Sequence, residues 1–141
     1  MASQQEKISI CGVGRQRAVA IFASKELEGT PFRFAAIMDA TSPEPYNFSP
    51  DRLRLVLRCL YPEPRCFIAG EGVEEEANAA AVEVWKEFVA ERKVDNPLLI
   101  NFREFENRSL EETLATPKEK LPAEVIRTRM MPHFFGQSEK A

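Results

Sequence analysis

The sequence is poor in the residues that build metal sites and disulfide frameworks. It has a single histidine, His133, and three cysteines, Cys11, Cys59 and Cys66, an odd number with no Cys-x-x-Cys spacing. Zinc sites and disulfide-rich folds need regularly spaced groups of these residues. We therefore expect no metal and no disulfide, and we expect Cys59 and Cys66 to be reduced, buried thiols.

Long apolar runs and an excess of positive charge are also missing. No stretch approaches the ~18 apolar residues that a membrane span needs, and residues 1–7 are polar, without the apolar segment of a signal peptide. The net charge of -3 gives little positive field to hold a polyanion. These absences predict a cytoplasmic protein that binds neither membranes nor nucleic acid.

The rest of the composition is that of an ordinary folded chain. Of its 141 residues, 44% are hydrophobic and 29% are charged, which is typical of soluble globular proteins. A domain commonly takes roughly 100–200 residues. The sequence therefore predicts a disordered N-terminus over 1–6, a single α/β domain over 7–131 and a C-terminal tail over 132–141.

Short apolar runs alternate with helical patterns along the domain. The runs predict strands over 8–11, 32–38, 66–69 and 97–102. Helices are predicted over 15–28, from the N-cap residue Ser49, from about residue 74, from a capping box of Ser109 and Glu112, and over 122–131. Right-handed crossovers between such strands give a mainly parallel sheet. We expect a Rossmann-like three-layer α/β/α sandwich of about four strands, with its ligand beyond the carboxyl ends of the strands.

The turn predicted after the first strand is the candidate ligand site. It is formed by Gly12, Val13 and Gly14, followed by Arg15 and Arg17. Backbone amides at a helix N-terminus attract anions, and a guanidinium group binds phosphate through two donors. These features indicate a phosphate-bearing small molecule. The alternative interpretation is a tight turn with two solvated arginines.

Residues 7–39, through this strand, turn, helix and strand, resemble the nucleotide-binding half of NAD(P)-binding Rossmann proteins. The resemblance implies that Gly12 and Gly14 shape the turn and admit a pyrophosphate, and that Asp39 binds the ribose hydroxyls. Arg17 occupies the third glycine position of that family, which favours a phosphorylated ribose or a mononucleotide. The implied cofactor is NAD(P) or another nucleotide. Coenzyme A or another phosphorylated metabolite suits a four-stranded chain equally well.

A second interpretation of the same turn is catalytic. Cys11 and Arg17 have the spacing Cys-x5-Arg, and this resembles the low-molecular-weight tyrosine phosphatases and arsenate reductases. The resemblance implies that the Cys11 thiolate attacks phosphorus while Arg17 and the loop amides hold the phosphate oxygens. Ala18 stands where that family has a hydroxyl residue, and Cys59 and Arg65 share the spacing.

A third interpretation is a non-catalytic interaction or regulatory module, because the same fold serves many functions. With His133 as its sole histidine, the sequence shows no evident Ser/His/Asp or Cys/His arrangement. Whether the chain is an enzyme is left open, and so is a homo-oligomeric state.

Overall fold

Four parallel strands form the centre of the molecule. The computed structural model describes residues 7–14, 27–40, 48–70, 73–105, 109–116 and 120–136. Within these ranges the sheet has the spatial order β2-β1-β3-β4, which confirms the predicted α/β fold class. The strands are β1 (Ile8–Gly14), β2 (Phe32–Asp39), β3 (Cys66–Ala69) and β4 (Leu98–Asn101).

Strand β1 is longer than the sequence predicts, and this corrects the proposed turn. Gly12, Val13 and Gly14 belong to the strand and pair with β2, and Gly12 and Val13 also pair with β3. A Cβ atom on Gly12 would lie 3.0 Å from the ring of Phe34 and 3.2 Å from the carbonyl oxygen of Ile68. Gly12 therefore makes room for an aromatic ring packed over the sheet, and the chain does not turn there.

Two helices cover one face of the sheet. Helix α1 (Pro50–Cys59) begins as predicted, because the Ser49 side chain accepts a hydrogen bond from the Arg52 N–H at 3.2 Å and proline occupies the first turn. Helix α2 (Glu75–Arg92) places Trp85 in the core between Phe67 and Phe88, with ring centroids 5.5 and 5.8 Å apart. Both helices pack on the same cluster of buried residues, which includes Cys11 and Val13 of β1.

The C-terminal helical segment packs on the opposite face. After the short helix α3 (Leu110–Ala115), which starts with the predicted capping box of Ser109 and Glu112, come α4 (Leu121–Val125), a π-helical turn (Ile126–Met130) and α5 (Met131–Phe135). Met130 is fully buried, and the ring of Phe134 lies 5.8 Å from that of Phe32. Helical structure thus continues into residues that the sequence assigns to the tail.

One predicted helix lies almost wholly outside the described ranges, and the surroundings of one cysteine differ from the prediction. The helix predicted over 15–28 falls almost entirely on residues 15–26, which are outside those ranges. The expectation for Cys59 is wrong, because this residue ends α1 on its outer side and is exposed, whereas Cys66 is buried as expected.

One polar group inside the sheet has no hydrogen-bond partner among the described residues. Ser9 of β1 is 1% exposed, and its Oγ atom is buried with no partner in the part of the chain that the structure describes. A buried hydroxyl without a partner loses its hydrogen bonds to water and forms none within the protein, which lowers the stability of the folded state. The Ser9 hydroxyl therefore lowers the free energy of unfolding.

We expect Ser9→Ala to raise the free energy of unfolding by about 1 kcal/mol, because it removes the unsatisfied hydroxyl and leaves little empty volume. Urea denaturation measures this change. Ser49→Ala is the matched control and should lower the free energy of unfolding by about 1 kcal/mol, because it removes the helix cap. A loss of stability in Ser9→Ala would show that the Ser9 hydroxyl is satisfied in solution.

Candidate functional site

The carboxyl ends of the four strands form one edge of the sheet. Gly14, the last residue of β1, pairs with Asp39, the last residue of β2, and the Ala40 N–H donates to the Gly14 carbonyl oxygen at 3.0 Å. On the other side of β1, the Gly70 N–H donates to the Val13 carbonyl oxygen at 2.7 Å. This edge is where the sequence places the site.

The strand order creates a switch point between β1 and β3. The chain moves from β1 to one neighbour, β2, and then crosses to the other neighbour, β3. In open parallel sheets the loops on the two sides of such a point diverge and leave a crevice that binds ligands. At this point a Cβ atom on Gly70 would lie 3.1 Å from both the Gly14 Cα and the Val13 carbonyl oxygen. The two strand ends therefore meet backbone to backbone, and both glycines are buried.

The structure brings together part of the predicted site. Gly14 and Asp39 are register partners on neighbouring strands, and the Asp39 side chain is partly exposed at the edge. Gly12 and Val13 lie deeper in the strand than predicted. Arg15 and Arg17 lie outside the described residues.

Cys11 does not have the surroundings of a nucleophile. It is fully buried in the middle of β1, three residues before the strand ends, with Ala36 and Phe67 as its partners on the neighbouring strands. Burial raises the pKa of the Cys11 thiol to about 12, although a hydrogen bond with the Gly12 backbone acts in the opposite direction. Reactive cysteines have lowered pKa values and partial exposure. The described geometry therefore gives the phosphatase interpretation no support.

A polar cluster that the sequence analysis missed lies at the end of β4. The side-chain amides of Asn78 and Asn101 hydrogen-bond each other in both directions at 3.0 Å. The Asn101 Oδ1 atom also accepts from the Arg103 N–H at 3.1 Å, and the Arg103 guanidinium donates to the Val73 carbonyl oxygen at 2.9 Å. The available signal was Asn78 itself, a polar residue in line with the buried Ala81 and Trp85 of α2.

The opposite edge of the sheet carries a separate recess. It has a volume of about 300 Å³ and lies between residues 29–31, which precede β2, and the C-terminal helical segment, where Ile126 and Met131 line it. This recess is at the amino ends of the strands, away from Asp39 and Gly14. It does not coincide with the predicted site.

The fold defines a small α/β protein with a Rossmann-like parallel sheet. No protein-family model matches the chain, and neither a curated protein nor a solved structure matches it. Among the described residues, no three His, Cys, Asp or Glu side chains are grouped so that they could hold a metal ion. The same part of the chain contains no helix long and apolar enough to cross a membrane.

The raised pKa of Cys11 predicts a pH dependence of stability. The thiol is harder to ionise in the folded chain than at its ordinary pKa of 9.0, so its contribution to stability is complete below about pH 9 and is lost as the pH rises towards 12. We expect the free energy of unfolding to fall less steeply above about pH 9 in Cys11→Ala than in the wild type. Urea denaturation at a series of pH values measures this slope.

Cys59→Ala is the matched control for this experiment, because Cys59 is exposed. Its pH profile should overlay that of the wild type. An unchanged slope in Cys11→Ala would contradict the buried, protonated thiol and would reopen the catalytic interpretation.

Proposed function

We propose that the protein binds a phosphate-bearing small molecule, a nucleotide or dinucleotide, beyond the carboxyl ends of β1 and β3. The observation that carries this proposal is the parallel strand order β2-β1-β3-β4. It has a switch point between β1 and β3, the position at which open α/β sheets bind their ligands.

Asp39 supports a ribose-containing ligand. It ends the strand next to Gly14, and adjacent strands are about 4.8 Å apart, so the backbone of Asp39 lies one strand spacing from the end of β1. A carboxylate accepts hydrogen bonds from neighbouring hydroxyl groups, as the acid at this strand end does in dinucleotide-binding sheets. We therefore place the ribose over β2 and the phosphate over β1.

The charges near the carboxyl ends of the strands favour a phosphate position next to β1 and not next to β3. Glu74, Glu75 and Glu76 are exposed at the start of α2, which follows β3. Their carboxylates repel an anion at that helix N-terminus and offset its favourable dipole. The phosphate is thus expected above the segment that follows Gly14, in keeping with the predicted roles of Arg15 and Arg17.

Binding without covalent phosphate chemistry fits the described residues better than the phosphatase alternative. A phosphatase of the Cys-x5-Arg kind needs an accessible thiolate at the start of its loop. Cys11 is instead fully buried and held in its neutral form.

A thermal titration with NAD, NADP, AMP, coenzyme A and inorganic phosphate tests the proposal. A ligand at 100 times its dissociation constant stabilises the folded chain by about 2.7 kcal/mol, which raises the Tm of a domain of this size by several degrees. We expect such a rise with at least one nucleotide. Asp39→Asn should lower the affinity for that nucleotide about tenfold, because it replaces a charged hydrogen-bond acceptor with a neutral one.

Asp95→Asn is the matched control, since Asp95 is an exposed carboxylate near the amino end of β4. It makes the same change of charge and should leave nucleotide affinity unchanged. A rise with inorganic phosphate alone would overturn the nucleotide proposal, and the absence of a rise with every compound would shift the interpretation to an interaction module.

A further inference from the structure

The recess at the amino ends of the strands lies between two walls that the fold holds in place. One wall is the turn over residues 29–31, where the Thr30 N–H donates to the Leu27 carbonyl oxygen at 3.1 Å. The Pro31 carbonyl oxygen accepts from the Ile8 N–H at 2.8 Å, which ties this wall to β1. The opposite wall includes Ile126, which is 7% exposed and packs into the core. Small-molecule sites in proteins are usually pre-formed in this way.

The second wall contains the π-helical turn, Ile126–Met130. The Met131 N–H donates to the Ile126 carbonyl oxygen five residues back, one residue further than in an α-helix. Residues five apart diverge around an α-helix, whereas the wider π-helical turn brings Ile126 and Met131 to the same side, and both line the recess. Turns of this kind are rare and occur frequently at functional sites. The recess is therefore shaped by an irregular turn and not by ordinary helix packing.

The walls of the recess are mainly apolar. The apolar side chains that line it belong to Pro31, Ala123, Ile126 and Met131. The Thr30 hydroxyl also lines the recess but is already engaged, because it donates to the Leu27 carbonyl oxygen at 2.8 Å and accepts from the Phe32 N–H at 3.2 Å. The volume of about 300 Å³ is at the lower end of the range for ligand pockets. These walls favour a small ligand with an apolar body.

Arg127 adds a positive charge to this apolar surface. Among the described residues that line the recess, it is the single charged one. Its Nη2 atom donates to the Glu124 Oε2 atom at 2.6 Å, and its side chain is 70% exposed. This hydrogen bond uses one of the five N–H donors of a guanidinium group. Because an exposed ion pair of this kind adds little stability, a ligand carboxylate can compete with Glu124 for Arg127.

We infer that the recess binds a small apolar carboxylate, with the apolar body between Pro31 and Ile126 and the carboxylate on Arg127. A guanidinium group binds a carboxylate through parallel hydrogen bonds. One cation beside the Glu124 carboxylate suits a ligand with a single negative charge, since repulsion by Glu124 is stronger for a doubly charged phosphate. The site lies at the opposite edge of the sheet from the proposed nucleotide site and does not depend on it.

Titration with phenylacetate, followed through the NMR signals of the backbone amides, tests the inference. We expect saturable shifts at Gly29, Thr30 and Arg127, which line the recess. Phenylacetamide has the same size but no charge, and it should bind about threefold more weakly. Shifts that rise linearly without saturation would overturn the site. Equal affinity for the acid and the amide would overturn the assignment of the carboxylate to Arg127.

Three variants separate the shape of the recess from its charge. Ala123→Phe places a ring in the recess from an exposed position, so it should abolish phenylacetate binding and change the Tm little. Arg127→Gln should lower the affinity about threefold and remove the preference over phenylacetamide. Glu124→Gln removes the competing carboxylate and should raise the affinity about threefold.

The matched controls repeat these changes in α2, which packs on the other face of the sheet. Ala79→Phe places the same ring at an exposed alanine. Lys86→Gln and Glu83→Gln each remove one charge of another exposed pair three residues apart in a helix. None of the three should alter phenylacetate binding. Binding that survives Ala123→Phe, or that responds to the controls as it does to the recess variants, would contradict the inference.

Addition of AMP distinguishes this site from the proposed nucleotide site. AMP should neither shift the amides of Gly29, Thr30 and Arg127 nor displace phenylacetate, because the two sites lie at opposite edges of the sheet. Displacement of phenylacetate by AMP would overturn the separate carboxylate site. Saturable phenylacetate binding in a protein that binds no nucleotide would support the inference and count against the proposed function alone.

Discussion

The structure depends on the burial of β1 on all sides. This strand pairs with β2 along one edge and β3 along the other, and its Ile10 and Cys11 point into the two core clusters on opposite faces. From Ser9 to Gly14 the strand is buried, so a charged side chain there would lose its hydration and a bulky one would clash with its neighbours. The raised pKa of the Cys11 thiol and the missing side chain of Gly12 both follow from that constraint. Polar chemistry is consequently confined to the ends of the strands.

The polar groups at the carboxyl ends of the strands differ in how far they are exposed. Asp39 is partly exposed on one side of the switch point, and the Asn78–Asn101 pair is largely buried on the other. The two groups also lie on opposite faces of the sheet. Asn101 contacts α2, whereas Asp39 pairs with Gly14, a position of β1 that belongs to the face away from α2. One side of the edge thus carries a partly exposed carboxylate, and the other carries two amides that hydrogen-bond each other.

The sequence predicts best what is decided locally. The bounds of β3, the Ser49 cap of α1 and the capping box of α3 all match the structure, because each depends on residues within a few positions of one another. The prediction of a turn at Gly12 is wrong because glycine is typical both of turns and of close packing, and the residue that decides between them, Phe34, comes from the next strand. Asn78 and Asn101 are 23 residues apart, and no local pattern indicates that two polar residues will satisfy each other inside a core. Asp39 and Gly14 could be placed at the same edge because a parallel sheet aligns strand ends whatever its order.

The order of the strands along the chain has a consequence for folding during synthesis. The central strand β1 is synthesised first, β2 follows it, and β3, its second neighbour, is complete only at Ala69. At roughly 5–20 residues per second, a ribosome needs several seconds to cover that interval. During this time one edge of an apolar strand has its backbone groups unpaired, and such an edge readily pairs with another chain. Until β3 emerges, the open edge of β1 is therefore a point at which the nascent chain can aggregate.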